Sequence, residues 1–285
     1  MTPNYGALLF RHCAAIQPAR LVLGLADVVR RQGTVIHEAT PVSAIEAGHI
    51  VTSRGTVRAA AVIRATEGYT DSIAGERRRL MPLYSMVTAT EPLPPEIWAQ
   101  IGLAERETFG DGRRVVMYGQ RTLDDRLVLG GRAGYYFASK RRATIPPNDP
   151  KVVRVKNLVT TLFPMLKGFQ ITHGWGGLMG VPRHWRPCVQ WDGETRTGWA
   201  GGYVGEGVAA ANLAGRIVAD LVTNQSTALT ELPWVNDEGR LWEPEPLRWI
   251  GAKAIEGFGD RADRAEFASG APSKFWGGLF DTFVR

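Results

Sequence analysis

The chain has 285 residues, 44% of them hydrophobic, which suits a globular protein of one large or two ordinary domains. No apolar run approaches the length of a bilayer-spanning helix, and residues 1–5 lack the basic, then apolar, pattern of a signal peptide. Two cysteines, Cys13 and Cys188, argue against a disulfide framework and suit a reducing cytoplasm. The formal charge of +6 is spread over separate clusters, Arg77–Arg79, Arg113–Arg114 and Lys140–Arg142, beside turn residues; these read as solvated loops rather than a nucleic-acid-binding face. The five histidines show no metal-ligand spacing, so no metal site is expected.

In chain order, Pro18 opens a helix in which Leu21, Val22, Leu25, Val28 and Val29 share one apolar face, closed by Arg30, Arg31 and Gly33. Short strands follow at Val35–Ile36, Val42–Ile45, Ile50–Thr52, around Val57 and at Ala61–Ile63, with hairpin turns at Gly48-His49 and Arg54-Gly55. The last of these strands runs to Ala65 and Thr66 and ends in a tight turn at Glu67-Gly68, either a ligand-facing strand end or an ordinary turn. Leu83–Thr90 is a strand, Pro94–Ile101 a short helix, and Val115–Tyr118 and Leu127–Leu129 are strands of antiparallel texture. A helix runs from Asn148 to Pro164, strands recur at Ile171–Gly177, Val189–Trp191 and Thr197–Ala200, and the Trp- and Pro-rich tail past Pro233 reads as an extended arm with one or two short helices.

The most informative stretch is Gly201-Gly-Tyr-Val-Gly-Glu-Gly-Val208, which leads from an apolar strand into the small-residue helix 209–222. Glycines let the backbone turn sharply and approach a ligand, and a helix start offers free N–H groups to something electron-rich. Gly205 to Ala210 fits G-x-G-x-x-A. The chain beyond that helix does not complete a first βαβ unit, because residues 223–227 are loop and Pro233 spoils the next strand. A plain glycine turn before a core helix remains the alternative.

Several stretches, in order and at their spacing, resemble the FAD-dependent D-amino-acid-oxidase-like superfamily, which includes glycine, sarcosine and γ-glutamylputrescine oxidases. They are Ile16–Leu21, Glu38–Val42 with the meander ending Ala65-Thr66, Pro82–Leu93, Leu129–Arg132, Trp175–Pro182 and Gly201–Val208. The resemblance implies an α/β (α+β) chain: an incomplete FAD/NAD(P)-binding, Rossmann-like domain with a β-meander, plus an antiparallel-sheet substrate domain. It implies that Val42, Ala65, Thr66, Gly202, Tyr203, Val204, Gly205, Glu206, Gly207 and Val208 hold FAD without a covalent bond, with Glu206 capping the helix as an alternative role. Arg132 would pair with a substrate carboxylate or form a structural ion pair. Tyr135, Tyr136 and Trp175 would wall an amine pocket or serve as plain core aromatics, and His173 or His184 is a weaker candidate base.

By this resemblance the flavin domain spans residues 1–80 and 172–235, the substrate domain 81–171, and a C-terminal extension 236–285. The family's opening strand, G-x-G-x-x-G turn and helix are missing before Pro18, so the resemblance implies a truncated form or a partner chain that supplies that part. The implied reaction is FAD-dependent oxidation of a C–N bond in a small-molecule amine or amino acid. Alone, the chain is expected to bind FAD poorly and turn over slowly or not at all; the alternative is a non-catalytic subunit. Neither nucleic acid nor membrane is an expected partner.

Overall fold

The computed structural model describes residues 6–142, 145, 148–237 and 239–284, and the side chains of 132 and 133 are not among what it describes. The chain divides into two compact units. One takes in the chain up to residue 39, residues 86–131 and the stretch ending at 176; the other takes in residues 40–85, a short stretch from 132, and 177 onward.

The first unit opens with helix α1 (Pro18–Arg31), whose first turn is capped by the Gln17 side chain accepting from the Arg20 N–H at 2.8 Å. Gly33, at φ 91, ends it as anticipated. None of its residues is buried, and Leu21, Val22, Leu25 and Val28 are all exposed. Val35 and Ile36 form no strand, contrary to expectation; Val35 is 72% exposed and apolar propensity has no neighbouring strand to act on there.

Most of a five-stranded sheet, in the order β6-β7-β8-β5-β9, belongs to this unit: β5 (Met81–Thr90), β6 (Phe109–Gly110), β7 (Met117–Arg121), β8 (Leu127–Gly134) and β9 (Ile171–Val181). The β7–β8 hairpin is antiparallel, and β7 starts two residues later than its Val115 apolar run suggests. Met86, Met117, Leu127 and Leu129 are buried, as are Val152, Val155, Val159 and Leu162 of α3 (Pro150–Leu162), which Asp149 caps at 2.9 Å. The short helix α2 (Pro95–Ile101) is pinned by Trp98, whose Nε1 donates to the Asp125 carbonyl at 3.1 Å.

In the second unit, β1 (Val42–Glu46), β2 (His49–Thr52) and β3 (Gly55–Arg58) form the expected antiparallel meander, turning at Gly48 and Gly55, both with positive φ. A second sheet has the order β10-β11-β4. Here β11 (Thr197–Gly201) pairs antiparallel with β10 (Cys188–Asp192) and parallel with β4 (Val62–Arg64), so β4 is an edge strand. Helix α4 (Gly207–Val222) buries Ala210, Ala214 and Ile217, the last two clustered with Val189 and Ala200 of the sheet. Its small residues bring the helix close to the sheet.

The tail departs from expectation: it holds a 23-residue helix, α5 (Leu247–Ser269), followed by α6 (Lys274–Val284). Ile255, Gly259 and Ala262 form a buried seam on α5, and Phe258 stacks on Trp276 of α6 at 6.2 Å. The small residues of that seam mask its helical period in the sequence.

The tail is tied down by buried polar bonds. Trp242 Nε1 donates to the Val181 carbonyl at 2.6 Å. Arg248, 2% exposed, donates to Ser139 Oγ, the Arg77 carbonyl and Glu245 Oε1 at 3.0–3.1 Å. Burial alone would raise the Glu245 carboxyl, but bonds from Tyr135 and Arg248 outweigh it and hold it below its ordinary 4.5. Removing one partner of such a pair strands the rest, so Arg248→Ala should cost about 3 kcal/mol in urea unfolding at neutral pH. Because Glu245 titrates below 4.5 in the folded chain, the network's contribution is present above that pH and lost as pH falls further. The destabilisation by Arg248→Ala should therefore shrink in acid.

Candidate functional site

The candidate site lies wholly in the second unit, where the parallel strands β4 and β11 end side by side. The C-terminal edge of such strands is where open α/β sheets place ligands. After Arg64, the β4 chain passes through Ala65 and Thr66, whose hydroxyl bonds Thr70 Oγ1 at 2.9 Å, into a 3₁₀ turn over Glu67–Ser72. Arg64 itself is 6% exposed, lies over the Trp199 ring at 4.8 Å and pairs with Glu76 at 3.3 Å. Burial pulls its guanidinium down to about 10 despite the Glu76 charge.

After β11, the chain turns through Gly202 (φ 73), Val204 (φ 53) and Gly205 (φ 107) before α4 begins. A Cβ on Gly202 would sit 3.0 Å from the Pro182 ring, so glycine is needed there for both conformation and space. Glu206 occupies the N-cap position but its side chain makes no capping bond, which corrects the capping role entertained from the sequence. The start of α4 is thus open, with first-turn N–H groups that have no acceptor inside the helix.

Beside this helix start is a cavity of about 430 Å³, within the range of small-molecule sites. Gly207, Ala211, Gly215 and Val218, one face of α4 at helical spacing, line it together with Ala65 and Ala200. Tyr203 and Glu67 contribute its polar groups.

Glu67 holds the site together. One carboxylate oxygen accepts the Tyr203 N–H at 2.9 Å, the other accepts the Gly180 N–H of β9, and the Gly202 N–H bonds it as well. Burial pushes the carboxyl up from 4.5, and these three N–H groups oppose that shift without cancelling it. Burial, then the Glu67 charge, pushes the Tyr203 hydroxyl up to about 12. Sequence reading passed over Glu67 as a turn residue. Its φ of 41, unusual for a residue with a side chain, marks it only once the backbone is known.

Of the residues the sequence singled out, Ala65, Tyr203 and Gly207 line the cavity, while Thr66, Gly202, Val204, Gly205, Glu206 and Val208 flank it in the same two segments. Val42 begins β1 in the separate meander sheet, which is joined to the chain just after the 3₁₀ turn, where the Ala74 N–H donates to the Ser43 carbonyl at 2.9 Å. Arg132 has its backbone in β8, but its side chain lies outside the described residues. Trp175, 46% exposed, is on β9 in the first unit.

Tyr135 is in the second unit and 2% exposed. Its hydroxyl accepts from the Ser139 N–H at 2.7 Å and donates to Glu245, and burial with the Glu245 bond pushes it up to about 12. Tyr136 packs edge-on against Tyr84 at 5.1 Å. His173 is exposed, and His184 Nδ1 accepts from the Arg186 N–H at 3.0 Å. After α4 the chain makes turns and a single parallel bridge, Val235 to Val189, rather than a full second strand, in line with rejecting a first βαβ unit here. Among the described residues, no group of three or more His, Cys, Asp or Glu could hold a metal, and no helix is long and apolar enough to cross a membrane.

Two glycine replacements contrast a required glycine with a dispensable one. Gly202→Ala, at positive φ and against Pro182, should cost about 1–2 kcal/mol. Gly207→Ala, with its nearest contact at 4.0 Å, should stay within about 0.5 kcal/mol of the parent. Thermal melts of the two variants check this.

A family model described as FAD dependent oxidoreductase (DAO) matches residues 2–221. The chain is 32% identical over 223 residues to the probable oxidoreductase OrdL of Rhizobium meliloti, covering 75% of this chain and 48% of that protein. It is 31% identical over 227 residues to the gamma-glutamylputrescine oxidoreductase of Escherichia coli, covering 76% and 50%. It thus spans about half the length of the curated relatives it matches. Among solved structures, glycine oxidase from Geobacillus kaustophilus matches with a TM-score of 0.62 at 21% identity over 75% of this chain and 56% of that one, a likeness of fold. The sheets, the open helix start and the match over residues 2–221 agree: the chain belongs to the DAO family of FAD dependent oxidoreductases.

Proposed function

We propose that this chain forms the flavin-ring and substrate side of an oxidoreductase that uses FAD to oxidise a C–N bond in an amine or amino acid. The observation that carries the reading is the uncapped start of α4, opening beside a small-residue cavity at the joint end of β4 and β11. These residues fit the group. The first-turn N–H groups and the helix dipole favour an electron-rich ring edge, and Gly202 and Gly205 keep the approach free of side chains. When bound, FAD supplies the hydride acceptor, leaving an imine that water hydrolyses, and is reoxidised by oxygen or another acceptor.

In this reading, residues 202–208 with Ala65 and Thr66 orient the cofactor without a covalent bond, and Val42 lies on its adenine side. Arg132 pairs with a substrate carboxylate, and Tyr135 and Trp175 wall the amine. Residues 81–171 form the substrate domain, 1–80 with 172–235 the flavin domain, and 236–285 an extension. The names of the relatives, glycine oxidase and gamma-glutamylputrescine oxidoreductase, make small amino acids and acylated diamines the first substrates to try. Cys13 is exposed and Cys188 buried, and neither is in a disulfide, which suits the cytoplasm.

A second reading is a non-catalytic subunit that works with another chain. It is favoured by the open edge of β4, which pairs only with β11 among the described residues, and by the exposed Ile63 on that strand. In either reading, a dinucleotide-binding βαβ unit from the same polypeptide or a partner would add a parallel strand to β4 and hold the pyrophosphate.

Titrating the purified chain with FAD and recording its visible spectrum tests the proposal. Weak but saturable flavin binding by the chain alone is expected, with slow or no anaerobic bleaching by an amine or amino acid. A chain that stays colourless in excess FAD would contradict a flavin role for it alone and favour the second reading.

A further inference from the structure

Glu67 does something that neither strand end nor helix start explains. One side chain accepts N–H groups from two separate elements, Gly180 on β9 and the Gly202–Tyr203 turn before α4. The fit leaves no room for alternatives. A Cβ on Gly180 would collide with the Glu67 carboxylate and come within 2.8 Å of Leu80, and a Cβ on Gly68 would come within 2.8 Å of Leu178. The backbone at Glu67 is held at φ 41, a conformation that a glycine would adopt at no steric cost. A bulky side chain in that conformation needs a reason, and the three N–H bonds are one.

We propose that Glu67 is a positioning residue, a carboxylate latch that fixes the glycine-rich turn 202–205 against β9 and so sets how tightly a flavin is held at the start of α4. The flavin clause rests on the function proposed above; the latch itself does not. Glu67 also lines the cavity, so the latch stands next to the ligand rather than behind it. The groups around the carboxylate are Leu80 and Gly180 on one side and the Gly202–Tyr203 turn on the other. Tyr203 is the titratable one, and at about 12 it stays neutral wherever Glu67 titrates. Among the described residues no cation pairs with Glu67, so the charged form is held by backbone N–H groups. A proton on the carboxylate turns one acceptor into a donor and leaves the facing N–H poorly matched. Burial nonetheless raises the carboxyl from its ordinary 4.5, so the closed latch takes up a proton more readily than a solvated acid would, and mild acid does not release it.

Three variants test this. Glu67→Gly removes the carboxylate and relieves the backbone. Gly180→Ala evicts an intact carboxylate from its place. Glu67→Gln keeps the shape but turns an N–H₂ towards a backbone donor. Amide hydrogen exchange at Tyr203 and Gly180 should quicken about tenfold or more in all three, since bonds to a charged acceptor are the strong ones. FAD affinity, read by flavin fluorescence, should fall about tenfold to a hundredfold.

A residue that merely fills the turn would make Glu67→Gly neutral or stabilising. Unchanged exchange at Tyr203 and Gly180 in that variant overturns the latch. If exchange quickens but the parent binds no FAD, the latch stands and the flavin function falls. If FAD binds and its affinity in Glu67→Gly stays within twofold of the parent, the latch has no part in holding flavin.

Discussion

The parallel pairing of β4 with β11 is the constraint on which the site depends. Strands that run parallel end at the same edge, so two segments far apart in the chain deliver their loops to one place. There Thr197, Gly198 and Trp199 face Val62, Ile63 and Arg64, and the chain beyond each strand turns out at the same level. The β4 loop contributes Ala65 and the Glu67 carboxylate, and the β11 loop contributes the glycine turn and the start of α4. Antiparallel pairing would have sent the two loops to opposite ends, leaving the helix start facing an unrelated surface.

The energetics of this corner are those of small residues and one acid. Ala210 and Ala214 let α4 lie close on the sheet, while Gly207, Ala211 and Gly215 leave space on its next face. A leucine on the first face would push the helix off, and one on the second would fill the cavity. The acid does for backbone N–H groups what a further strand would otherwise do, and burial raises its carboxyl because no cation shares the task. Elsewhere in the same unit a buried charge is paired. Glu245 and Arg248 close around the Tyr135 hydroxyl and Ser139, and that network anchors a tail lying beyond the stretch that matches the family.

Much of this was legible in the sequence, for physical reasons. The meander showed in close-spaced apolar pairs broken by Gly48 and Gly55, and α4 in a glycine turn before an alanine-rich run. Glu67 was not legible, because its partners Gly180 and Tyr203 stand 113 and 136 residues away and nothing local distinguishes it from a turn acid. Helix α5 was hidden because Gly259 and Ala262 pack by being small, so its buried stripe has no apolar signature. Val35–Ile36 erred the other way: β-branched residues invite a strand, but a strand needs a neighbour. The apolar stripe of α1 was also plain in the sequence, yet none of the helix's residues is buried.

The most direct test of the account is to map the backbone amides of the isotope-labelled chain by NMR as FAD is added. The account predicts saturable shifts concentrated at Ala65, Thr66, Tyr203, Gly205, Gly207 and Val208, with Gly180 responding through Glu67. Saturable shifts clustered elsewhere, or none in this set at high FAD, would contradict the central claim that the joint end of β4 and β11 is where this chain holds its flavin.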